Sequence, residues 1–112
     1  MKAVEIAKIC HEANKAYCEA IGDPFMPHWG DAPEWQRAST EAGVAFLLEN
    51  KNATPRDTHA SWVECKVKDG WAYGPKKDVE KKEHPCMVDY DDLPEEQKLK
   101  DSIFLALVRT LE

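Results

Sequence analysis

The chain has no excess of positive charge. Fifteen Lys and Arg stand against 21 Asp and Glu in 112 residues, a net charge of −6. This argues against non-specific nucleic-acid binding, which draws its affinity from cationic contacts to phosphate. It argues equally against an anionic membrane surface. No apolar run approaches the roughly 20 residues of a membrane span. The first residues, Met1-Lys2-Ala3-Val4-Glu5, carry an acid early and form no signal-peptide apolar stretch. A reducing cytoplasm is the expected compartment. The four cysteines (Cys10, Cys18, Cys65 and Cys86) form no CxxC pair and no tight zinc spacing. They read as small core hydrophobes or half-exposed thiols. There is no GxGxxG, no Walker loop, no nucleophile elbow and no Ser-His-Asp order in context.

What is present fits one soluble globular domain over 1–112, with 43% hydrophobic and 32% charged residues. Four stretches read as helices. In the first, about 3–21, Ile6, Ile9, Cys10, Ala13, Tyr17 and Ala20 recur at spacings of three and four, with Gly22 as the stop. The second starts at Asp31-Ala32-Pro33 and ends by Asn50, with Trp35, Ala38, Ala42, Ala45 and Leu48 or Glu49 in phase. Its small residues Ala38, Ser39, Ala42 and Ala45 predict a close helix contact. The third starts at Thr54-Pro55-Arg56-Asp57, a capping signal. That signal accounts for Asn52-Ala53-Thr54 better than glycosylation does. His59, Trp62, Val63 and Lys66 share a stripe, and Gly70 closes the helix. The fourth, about 94–111, starts at Pro94 and carries Leu99, Ile103, Ala106, Leu107 and Leu111. The fold class is therefore mainly α. A long ordered loop spans 71–92, with a short two-stranded β hairpin expected between 71–73 and 86–90. No segment repeats at a solenoid period.

Metal and catalytic readings are weak. His84 and Cys86 alternate along an extended segment, but only two ligands are local. His11 and Cys18 do not share a helical face well. A Cys86–His84 nucleophile pair lacks an accompanying oxyanion turn. The acids Asp89, Asp91, Asp92, Glu95 and Glu96 read as the N-terminal cluster of the last helix. No cofactor, metal or catalytic residue is assigned. The aromatics are more informative. Trp29, Trp62, Trp71 and Tyr73 sit in or beside loops, near Lys76, Lys77, Lys81 and Lys82. Such a set anchors a loop onto a thin core, or stacks a base and neutralises a phosphate. The anchoring role is the simpler one.

Four elements are more particular than any of these signals. They are His59-x-x-Trp62, Gly70-Trp71-Ala72-Tyr73-Gly74-Pro75, His84-Pro85-Cys86 and Leu93-Pro94. Their order and spacing resemble the RyR domain, the repeat of ryanodine receptor calcium channels that also occurs in small stand-alone bacterial and phage proteins. The resemblance covers about 54–111, and Ala7-Lys8-Ile9-Cys10-His11-Glu12 with Ala32-Pro33-Glu34-Trp35-Gln36 extends it towards the stand-alone form. It implies that Trp62, Trp71 and Tyr73 anchor the irregular segment. Channel repeats come in tandem pairs joined by a phosphorylation loop. One copy and no such loop are legible here, so channel properties are not implied.

Three functions follow as expectations. The first is a non-catalytic interaction module that binds a protein or itself. The second is a sensor of a nucleotide-derived ligand, its pocket lined by Trp71, Tyr73, Lys82 and His84. The third is an acidic phage-type inhibitor that mimics DNA. An enzyme is the least favoured.

Overall fold

A computed structural model describes residues 1–112. Four helices carry the fold: α1 (Ala3–Ala20), α2 (Glu34–Glu49), α3 (Pro55–Lys68) and α4 (Glu95–Leu111). All four expected helices are present with ends shifted by a residue or two, the ordinary ambiguity of helix termini. Their starts follow local chemistry. Thr54 accepts from the Asp57 backbone N–H, while the Asp57 carboxylate accepts from the Thr54 backbone N–H. Two otherwise orphaned donors are thus satisfied. Pro33 and Pro94 immediately precede α2 and α4. Gly22 and Gly70 sit at φ 91° and 88°, the left-handed conformation that turns the chain away after α1 and α3. No helix is long and apolar enough to cross a membrane.

The faces differ from the expected stripes. The core is Ile6, Ala7 and Cys10 of α1, Val44 and Leu47 of α2, and Val108 of α4. On α1, His11 and Cys18 are also buried, whereas Ile9 is exposed. His11 and Cys18 therefore do share a face, because seven residues span two turns. Hydropathy alone placed the stripe off-centre, since buried His11 has its own partner: its Nε2 donates to the Pro27 carbonyl at 2.7 Å. On α2, Ala38, Ala42 and Ala45 face outward. The close approach falls at Gly43 instead, where a Cβ would sit 3.1 Å from the Phe104 ring. Arg109 of α4 donates to the Leu47 and Asn50 carbonyls, capping the end of α2.

The expected hairpin is corrected to a parallel pair. Here β1 (Ala72–Tyr73) lies beside β2 (Glu83–His84), with Ala72 opposite Glu83 and Tyr73 opposite His84. The chain reverses between the two through an antiparallel bridge of Asp78 with Glu83, with Lys82 at φ 54°. Gly74 lets the strands meet, since a Cβ there would lie 2.6 Å from the Glu83 Cβ. Residues 86–90 cannot serve as the partner strand. The chain turns at 85–86, where the Met87 N–H donates to the His84 carbonyl at 3.3 Å, and the Val88 carbonyl accepts from His59 Nε2 at 2.7 Å.

The structure also contains a duplication. Single-turn 3₁₀ segments at Trp29–Asp31 and Tyr90–Asp92 lead into α2 and α4, 61 residues apart. Ala32 and Leu93 follow with nearly the same dihedrals, φ −72° ψ 141° and φ −74° ψ 143°. Before them, His11 on α1 and His59 on α3 each donate from Nε2 to a carbonyl of the following loop, both at 2.7 Å. Each half is thus helix, pinned loop, 3₁₀ turn, helix. The sequence signal is His28-Trp-Gly-Asp-Ala-Pro-Glu-Trp-Gln36 against Asp89-Tyr-Asp-Asp-Leu-Pro-Glu-Glu-Gln97. The likeness follows no regular solenoid period, because the second loop is longer.

Candidate functional site

The site grows from one stripe of α3. His59, Trp62 and Lys66 lie three and seven positions apart, so they line up along one helix face. The tight turn after α3 is closed by the Trp71 N–H donating to the Lys66 carbonyl at 2.9 Å, which returns Trp71 to the same face. β2 brings His84, and the first turn of α2 brings Trp35 from the other half.

Lys66 stands at the centre and is only 5% exposed. Its Nζ lies 4.9 Å from the Trp35 ring, 5.1 Å from Trp71 and 5.9 Å from Trp62. Trp35 and Trp71 are 5.7 Å apart, tilted at 44°. The His84 ring meets Trp62 edge-on at 5.0 Å and lies 6.4 Å from Trp71. No carboxylate is within ion-pair distance of Lys66. Burial lowers its amine from the usual lysine range, and nearby Lys77 adds to this against the pull of Asp69. The indole faces act in the opposite sense and favour the ammonium.

His84 is shifted further. Burial, then Lys77, Lys100, Lys66 and His59, bring it down to about 4, so its ring is neutral at physiological pH. The Cys86 N–H donates to its Nδ1 at 3.0 Å. Nδ1 is therefore the bare nitrogen, and Nε2 carries the proton. Lys66 and His84 together form a donor-rich aromatic box, its indoles packed around the ammonium, with Lys77 and Lys100 nearby. It is locally positive in a chain whose net charge is −6.

Behind Trp62 lies a second cluster. His59 stacks on Trp62 at 5.7 Å and 24°. Its Nδ1 is 3.8 Å from Asp101 Oδ2 on α4. Burial raises Asp101 to about 7, against the opposing effect of Lys100. The Cys86 thiol, also raised by burial, donates to Gln97 Oε1 at 3.5 Å. No three His, Cys, Asp or Glu side chains gather as a metal cluster.

Of the residues singled out from the sequence, Trp71 and His84 meet in this pocket. Tyr73 pairs with His84 in the sheet but is 59% exposed, so it anchors nothing. Lys82 is turned elsewhere, its Nζ donating to the Asp69 carbonyl at 2.8 Å at the end of α3. The cation of the site is Lys66, whose signal was a lysine on an otherwise aromatic stripe of α3. Trp35 carried no local signal, because only the tertiary fold brings α2 against the turn after α3.

The elements that build the pocket are nearly contiguous in sequence. A family model described as the RyR domain matches residues 46–111. That span holds α3, both strands and α4, with His59, Trp62, Lys66, Trp71 and His84, and it leaves Trp35 outside. It covers more than half of the chain and coincides with the aromatic and proline elements that fix this pocket, and so the protein belongs to the RyR domain family.

Proposed function

We propose that this protein is a non-catalytic binding module whose ligand is a small, planar, anionic molecule of the nucleotide-derived class. The observation that carries the reading is Lys66 and His84: two donors without acceptors, set among three indoles. A site that offers donors and no acceptors selects an acceptor-only group such as a phosphate. The Lys66 side chain fills the space inside the box, so a base would stack on the open side of Trp35, which is 38% exposed. Its anion would then reach Lys66, Lys77 and the His84 Nε2–H.

The other readings have less support. A protein-interaction surface would use exposed apolar residues. The exposed large apolar residues come from all four helices and the segments between them, from Met1 to Leu99, with Phe25 the most exposed at 86%. DNA mimicry needs acids in array, whereas here Arg56 pairs with Asp91, Lys68 with Glu64 and Lys51 with Glu112.

The test is a thermal-shift panel of AMP, ADP, ADP-ribose and NAD. A ligand at 100 times its dissociation constant adds about 2.7 kcal/mol, a shift of several degrees for a domain of this size. The expected result is a shift with at least one member that Lys66→Met abolishes. A flat panel, alongside a partner captured by pull-down or a dimer by light scattering, would establish the protein-interaction reading instead.

A further inference from the structure

The two halves contain their own control experiment. His11 and His59 do the same structural work: each is buried, and each pins the following loop through an Nε2–H bond of 2.7 Å to a carbonyl. A carbonyl only accepts, so in both rings the Nε2 proton is fixed. The rings differ at Nδ1. That of His11 is buried without a partner. That of His59 faces Asp101 Oδ2 at 3.8 Å. The residue 61 positions before Asp101 is Thr40, whose hydroxyl is spent on the Gln36 carbonyl. Pinning a loop therefore does not require an acid, as His11 shows. The second half has a buried carboxyl where the first has none.

We infer that His59 and Asp101 form a proton-operated latch between α3 and α4 that regulates the aromatic box. Without a proton between them, a nitrogen lone pair and a carboxylate oxygen face each other, just beyond hydrogen-bond distance. One proton converts that contact into a hydrogen bond and draws α4 towards α3. The change is felt in the box because His59 stacks on Trp62, and Trp62 borders both His84 and Lys66.

Other groups around the latch set its balance. Lys100 of α4 acts on Asp101 directly, Cys86 lies close to Asp101 and His84 close to His59, Lys66 of α3 is one step further at His84, and Arg56 of α3 and Lys98 of α4 sit over the Tyr90 ring that meets His59. Lys100 favours the carboxylate, and burial opposes it. Asp101, raised to about 7 by burial, therefore loses its proton near neutrality. The latch is closed below that range and open above it.

This inference rests on the ligand reading only for its consequence in binding. ADP-ribose is the probe, because a diphosphate diester keeps its charge between pH 6 and 8. Its affinity for the wild-type protein should fall roughly fivefold from about pH 6 to about pH 8, the low end of typical coupling. Asp101→Asn presents an amide N–H to Nδ1 at every pH and should hold the low-pH affinity throughout. Ligand-free NMR provides the separate readout. The Trp62 indole N–H signal should titrate near neutrality in the wild type and stay still in Asp101→Asn. Flat wild-type signals, or equal titration in both proteins, would overturn the latch. Absence of ADP-ribose binding at any pH, with the NMR titration intact, would overturn the ligand reading for this probe and leave the latch standing.

Discussion

At the scale of single residues, the decisive feature is a buried lysine without a carboxylate. Burying an ammonium is costly, and three indole faces offset that cost only in part. Methionine has a similar length, no charge and a polarisable sulfur that suits aromatic surroundings. Lys66→Met should therefore leave the denaturation midpoint unchanged or raise it, by up to about 1 kcal/mol, while removing ligand binding. A residue kept at a loss of stability is the expected signature of a site. A loss of more than about 1 kcal/mol in urea unfolding would instead make Lys66 a packing residue stabilised by its cage. His84 makes the complementary point. Its neutral ring, held by the Cys86 N–H, is a fixed donor and not a pH sensor near neutrality.

At the scale of elements, what could be read from the sequence depended on whether the signal was local. The start of α3 is encoded within Thr54-Pro55-Arg56-Asp57, and both bonds of the capping box form there. Thr54→Ala should cost about 1 kcal/mol of stability by thermal or urea unfolding. The phase of each helix was less legible. Hydropathy put Ile9 inside and ignored His11, whose buried Nε2–H donates to the Pro27 carbonyl, 16 residues on. The parallel strands were illegible for a related reason. Their pairing depends on Gly74 approaching Glu83 and on Lys82 adopting a left-handed turn, neither of which leaves a periodic trace. Half of the pocket was legible, as Trp71 and His84. Lys66 showed only as a lysine on the α3 stripe and Trp35 not at all, since a cation meeting a distant indole is a property of packing. Gly74→Ala tests the strand contact. The added methyl would collide with the Glu83 side chain, and a loss of about 1–3 kcal/mol is expected, with perturbed Trp71 and His84 NMR signals.

At the scale of the whole molecule, two buried ionisable groups give the pH dependence of stability opposite slopes. His84 is lowered from 6.5 to about 4. Between those values the unfolded chain binds more protons than the folded one, so His84 makes stability rise with pH. Asp101 is raised from 3.8 to about 7. Between those values the folded protein binds more protons, so Asp101 makes stability fall as pH rises. Over most of the interval from about 4 to 6.5 the two slopes oppose each other, and from 6.5 to about 7 Asp101 acts alone. The wild-type profile should therefore be shallow through the acidic range and decline towards neutrality. Removing one group uncovers the other. His84→Gln should leave a profile that falls steadily with pH from about 4 to 7. Asp101→Asn should leave one that rises to about 6.5 and then levels. Urea midpoints measured across this range in the three proteins would check the pair. Parallel profiles would show that neither group carries its charge change through folding. Opposite ones would show that the box and the latch, although joined through Trp62, hold their protons in opposing senses.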